Sequence, residues 1–214
     1  MAASTLATSL APAFDPVNRA LKRVPPWTVY ILGTLPFLYL VFQTLTGTIG
    51  VDPVRGIVWG LGLWALRLLL FSLAITPLRW LGLNLVRFRR QIGLVAFTYV
   101  CLHFTAWLTI DMGLRWSQIV GDLYKRWYIL IGMSALLLLI PLAVTSNNAS
   151  IKRLGGKLWN QIHKLVYLAA ILAITHYLMV GKVTTREQLV YAAILVVLLG
   201  WRLVKLGPKR MLVA

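Results

Sequence analysis

Apolar positions in this chain do not alternate with polar ones. They arrive in six long runs, separated by short stretches of Gly, Pro, Asn and charge, at residues 27–49, 56–76, 91–110, 127–145, 158–180 and 188–204. About 20 apolar residues in a helix cover the ~30 Å hydrocarbon core of a bilayer, and a segment crossing lipid must satisfy its own backbone. The pattern predicts an all-α integral membrane protein built as a six-transmembrane-helix bundle. The sixth run is short, so Arg202 and Lys205 at its end are expected to snorkel toward water. Pro36, Pro77 and Pro141 are expected to kink or end helices. Trp27, Trp80, Trp127 and Trp159, at the ends of runs, are expected to be interfacial anchors. No loop is long enough to fold separately. One membrane domain is expected over 25–205, flanked by a segment at 1–24 and a tail at 206–214.

Composition agrees, with 59% hydrophobic residues among 214 and a mean hydropathy of +0.79. The net charge of +17 would suit a polyanion partner if it were clustered on a soluble surface, but its placement reports topology instead. Sorted by alternate loops, fifteen of the 22 Lys and Arg fall on one side, six on the other, and Arg67 lies within the second run. Asp52, Asp111, Asp122 and Glu187 are on the poorer side. The excess of positive charge in cytoplasmic loops then places both termini in the cytoplasm, with a basic face toward anionic lipid and no nucleic-acid role. Residues 1–14 lack the basic start and apolar core of a cleavable signal peptide. The lone Cys101 forms no internal disulfide, and the absence of Cys-x-x-Cys-His excludes covalently attached haem.

Only three histidines occur, His103, His163 and His176, all in or at the edge of apolar runs. Ionisable groups at membrane depth are costly and usually functional, and imidazole is a common axial ligand of haem iron. His103 lies eight residues before Asp111, about 12 Å from that boundary, and His176 five before Gly181, about 8 Å from the same one. Matched depth on two parallel helices is what a single bis-histidine haem requires. His163 sits ~20 Å away, nearer the cytoplasm. The position that would complete a second, inner haem with it, fourteen residues before His103, is Arg89. One haem is therefore expected, and an inner one would need a non-histidine ligand. For His163, iron ligation, cofactor contact and a surface role stay open. On an ideal helix it points ~140° away from His176, so either the fifth run is irregular or the two rings face different neighbours. Arg67 is read as the partner of a haem propionate, because a guanidinium pairs well with carboxylate in low dielectric. Its alternative is hydrogen bonding to backbone or water between helices.

Several stretches resemble a known series in order and spacing: Asp52-Pro53-Val54, Ile75-Thr76-Pro77-Leu78-Arg79 and Arg89-Arg90-Gln91-Ile92-Gly93-Leu94 running to Leu102-His103. Thr145-Ser146, Arg153-Leu154-Gly155, Trp159, His163 with Leu165-Val166-Tyr167, and His176-Tyr177 continue it. Over roughly 25–205 the chain resembles the haem-binding membrane subunits of bacterial periplasmic protein-methionine-sulfoxide reductase systems, in the ferric-reductase-like transmembrane superfamily. Leu61-Gly62-Leu63 departs from the Thr-Gly pattern of that family. The resemblance implies an inner-membrane electron-transfer subunit rather than a catalytic one. It implies b-type haem on His103, His176 and His163, with Arg89 where relatives in the superfamily carry a fourth histidine, and an associated flavin mononucleotide. Electrons would come from the quinone pool or a cytosolic flavin reductase. They would go to a periplasmic molybdenum-containing methionine-sulfoxide reductase subunit. A quinone entry around Arg87–Arg90 and His163 is expected from charge and location. Two other classes compete: a stand-alone ferric or metal reductase, and a proton channel or transporter with a histidine relay. The last would want acids in mid-span, and the four acids of the poorer side lie at the ends of runs.

Overall fold

The computed structural model describes the backbone of residues 2–181 and 183–211, and the side chains of 13–181 and 183–204. The described residues form nine α-helices and no strand: α1 (Ala2–Arg23), α2 (Thr28–Leu45), α3 (Pro53–Trp80), α4 (Arg89–Ala106), α5 (Trp116–Lys125), α6 (Trp127–Val144), α7 (Asn148–His163), α8 (Leu165–Met179) and α9 (Arg186–Met211). Six spans are long and apolar enough to cross a membrane: α2, α3, α4 with a π-helical extension over Trp107–Asp111, α6, α7 with α8, and α9. The chain is thus a multi-pass membrane protein, as its runs of apolar residues predict. One end of the bundle carries the short amphipathic α5; the other carries α1.

The packing centre is α3, which buries Leu66, Leu69, Leu70 and Leu73 against Leu139 and Leu142 of α6, Ala169 and Ala170 of α8, and Leu195 and Leu198 of α9. Ala169 and Ala170 are fully buried. Small residues at such contacts let backbones approach in lipid, where hydrophobicity itself gives helices no reason to associate. The strongest pairings are α3 with α4 and α6 with α8. α2 stands outside this core and buries only Leu40, so most of its surface faces lipid.

Three expectations change. α3 is longer than its apolar run, starting at an N-cap where Asp52 accepts from the Arg55 N–H, and continuing past Pro77 to Trp80. Pro77 has no N–H, which would leave the Leu73 carbonyl one turn earlier without its helical donor. Arg202 Nη2 donates to that carbonyl at 2.8 Å. Arg202 therefore does not snorkel: it is 2% exposed, turned inward between α3 and α8, and its Nη1 donates to the Tyr167 hydroxyl. The Lys205 side chain lies outside the described residues, as do Met1 and 212–214. Trp159 is not a free anchor either; its indole donates to the Thr145 carbonyl at 2.8 Å. Trp27 and Trp127 are well exposed at helix starts, as expected of interfacial residues.

Candidate functional site

The fifth apolar run is broken between His163 and Leu165, where α7 ends and α8 begins, and Gly155 at φ +71° interrupts α7. The junction at Lys164 lies between the two histidines, and their rings face different neighbours. His163 stacks on Trp159 with ring centres 3.8 Å apart, and its Nε2 meets the Thr145 hydroxyl at 3.1 Å. Arg89, at the start of α4, lies near the ring. This is a cluster at the α1 end, remote from the other two histidines.

His103 on α4 and His176 on α8 face one another across the α5 half of the bundle, with ring centres 6.2 Å apart. Each ring is fixed by a helix that carries neither of them. His103 Nδ1 donates to the Val58 carbonyl of α3 at 2.8 Å, and His176 Nδ1 to the Tyr128 carbonyl of α6 at 2.7 Å. A donating Nδ1 fixes the tautomer that leaves Nε2 as the ligating nitrogen. The residue one turn beyond each accepting carbonyl is glycine. A Cβ on Gly62 would stand 2.9 Å from the His103 ring, and one on Gly132 2.8 Å from the His176 ring. So Leu61-Gly62-Leu63 is helix interior rather than a turn, and Gly62 is a seat for an imidazole. The sequence signal for both seats is a glycine in mid-span, where nothing else calls for one.

Both rings line a cavity of about 430 Å³. Its deep walls are apolar, with Leu66, Leu69 and Leu139 among them, while its mouth at the α5 end carries Asp52, Arg55, Asp111 and Arg126. Arg126 Nε pairs with Asp122 at 3.2 Å and Nη1 donates to the Tyr128 hydroxyl at 3.2 Å, and that hydrogen bond pushes its pKa upward. The Tyr177 hydroxyl, from a residue that also lines the cavity, is buried with no hydrogen-bond partner among the described residues.

Arg67 does not line this cavity. Its Nε donates to the Tyr191 hydroxyl at 2.7 Å, its Nη2 approaches Glu187 at 3.4 Å, and it lies over the Trp64 ring. It ties α3 to α9, and the arginines at the cavity are Arg55 and Arg126 instead.

The donor set fits haem. Two imidazoles sharing one metal at roughly 2 Å per nitrogen stand with ring centres about 6 Å apart, as these do. No group of three or more His, Cys, Asp or Glu among the described residues could hold a bare ion, so the pair suits a metal that brings its own equatorial ligands. A cavity with apolar walls and a charged mouth also suits a flat macrocycle with acids along one edge.

Comparison with known proteins agrees with this architecture. Residues 61–174 match the family model described as the ferric reductase like transmembrane component. The heme-binding subunit MsrQ of protein-methionine-sulfoxide reductase from Agrobacterium fabrum is 47% identical over 188 residues, which cover 86% of this chain and 87% of that protein. The subunit of the same name from Brucella ovis is 46% identical over 180 residues, covering 84% and 81%. The fold and the paired histidines define a ferric-reductase-like membrane protein. Within that class, the chain belongs to the MsrQ family of protein-methionine-sulfoxide reductase membrane subunits.

Proposed function

We propose that this chain is a b-type haem electron conduit of the bacterial inner membrane, with both termini cytoplasmic and the α5 end periplasmic. The observation that carries the reading is the opposed pair His103 and His176, spaced for one iron and each locked at Nδ1. The relatives' names, which call them haem-binding subunits of a methionine-sulfoxide reductase, support it. Haem held by His103 and His176 would supply one-electron transfer. The chain's own work is to orient the rings through Val58 and Tyr128, to make room through Gly62 and Gly132, and to keep the deep wall dry with leucines.

The donor is the quinone pool or a cytosolic flavin reductase, acting from the basic face. The acceptor is a soluble, periplasmic, molybdenum-containing subunit that reduces methionine sulfoxide in oxidised envelope proteins. His163 and Arg89 belong to the donor side of this reading. The test is spectroscopic first: the purified, haem-replete chain shows a low-spin b-type spectrum, and its absence overturns the proposal. The dithionite-reduced chain is then mixed with the periplasmic sulfoxide reductase or with ferric citrate. Faster reoxidation by ferric citrate would make it a stand-alone metal reductase instead.

A further inference from the structure

A cavity with an apolar floor and a charged rim selects not only a ligand but its orientation. The two cationic side chains that line the cavity are both at the mouth, and they come from different parts of the chain. Arg55 stands in the first turn of α3, just after the Asp52 N-cap, and Arg126 is the residue from which α6 starts. The Arg126 guanidinium is held on two sides, by Asp122 at Nε and by the Tyr128 hydroxyl at Nη1, and among the described residues Nη2 has no partner. The same Tyr128 supplies the backbone carbonyl that fixes His176, so Arg126 and the His176 ring are held by one residue. Arg55 uses its backbone N–H at the helix cap, and its guanidinium has no partner among the described residues. Two helix N-termini, of α3 and α6, open at the same mouth and add positive potential there.

We infer that Arg55 and Arg126 are the anchors of the macrocycle's two carboxylates, so that the acid edge of haem faces the α5 end and its vinyl edge faces the leucine floor. This rests on the proposed function, since it concerns the same cavity. It reassigns the carboxylate partner from Arg67, which is committed to Glu187 and Tyr191, to the rim. Asp52, Asp111 and Asp122 stand on the same rim. Of these, Asp122 shares the Arg126 guanidinium with the incoming carboxylate. Each arginine is exposed at the mouth, so each single contribution is small, a factor of about 2–5 in haem retention.

The full chain, purified, stripped of haem and reconstituted, gives the decisive comparison between iron protoporphyrin IX and its dimethyl ester, which has the same ring and no carboxylates. Wild type prefers the free acid; the Arg55→Gln/Arg126→Gln double variant takes both equally, and Arg55→Lys/Arg126→Lys restores part of the preference. In holoprotein purified without stripping, resonance Raman spectra of the double variant show a displaced propionate-bending band with unchanged low-spin marker bands. An equal preference for the free acid in wild type and double variant overturns the inference, and so does an unmoved propionate band. A wild-type chain that never shows low-spin haem overturns the proposed function itself and this inference with it.

Discussion

His103 and His176 are held by symmetric means: each projects from one helix, donates its Nδ1 to a backbone carbonyl of another, and occupies the space above a glycine one turn further on. Val58 and Gly62 serve His103, while Tyr128 and Gly132 serve His176. The rings end 6.2 Å apart because two helix pairs, α3 with α4 and α6 with α8, meet back to back across one cavity.

Gly62→Ala and Gly132→Ala test that arrangement with one methyl group each. On helix propensity alone, alanine is favoured over glycine by about 1 kcal/mol, so the secondary structure gains. The new Cβ nevertheless falls 2.8–2.9 Å from an imidazole atom, and the ring must leave its carbonyl or its axial direction. Haem per chain is expected to fall several-fold, or the low-spin electron paramagnetic resonance signal to shift, in chains that still insert and melt normally. Gly93→Ala and Gly121→Ala, where nothing lies within 4 Å of the added carbon, leave both signals unchanged. Wild-type haem content and spectra in the first pair would show that the glycines are not seats for the rings.

His103→Ala and His176→Ala remove the same haem, because each ring is one of a pair. His163→Ala leaves that haem in place, since its Nε2 is engaged with Thr145 and its ring with Trp159. Pyridine haemochromogen counts per chain decide this: a drop in His163→Ala equal to that in His103→Ala contradicts the two-layer separation.

Much of this was legible from the pattern of residues, for physical reasons. Apolar run length sets the spans because lipid admits little else, and equal depth paired His103 with His176 because rise per residue is fixed. What the pattern hid was lateral. Arg67 looked like a cofactor ligand because an arginine in mid-span needs a partner, yet depth alone does not say which neighbour meets it, and α9 brought Glu187 and Tyr191. Arg202 looked like a snorkelling end for the same reason. Gly62 and Gly132 show in the sequence only as mid-span glycines, since their role as ring seats depends on a side chain some 40 residues further along the chain.

Arg67→Gln should therefore leave the haem spectrum alone and act on stability. Its carboxylate contact is long at 3.4 Å, with both side chains more than a third exposed. The ion pair itself is worth a few tenths of a kcal/mol. The Tyr191 hydrogen bond and the ring contact at Trp64 bring the total to about 1 kcal/mol. Thermal melts in detergent followed by helicity check the loss, and a loss of haem in Arg67→Gln with an unchanged melt would restore Arg67 as a cofactor ligand.

Arg202 gives the sharpest energetic test, because its role is set by a proline on another helix. Pro77 deprives the Leu73 carbonyl of its helical donor; Arg202 Nη2 replaces that donor, while Nη1 serves Tyr167 and the buried Nε has no partner among the described residues. A buried guanidinium without a carboxylate is costly to desolvate, so its net benefit is the satisfied carbonyl rather than the charge. Arg202→Ala leaves that carbonyl unpaired and a cavity behind, an expected loss of about 3 kcal/mol. Arg202→Met fills the volume and removes the charge, so it should cost less, about 1–2 kcal/mol, the penalty of one orphaned carbonyl. Pro77→Ala returns a backbone N–H to Leu73, and in that background Arg202→Met is expected to cost nothing measurable. Unfolding of the four chains of this cycle in detergent gives the coupling between residues 77 and 202. Additive effects would mean that Arg202 is not there to serve the carbonyl that Pro77 orphans.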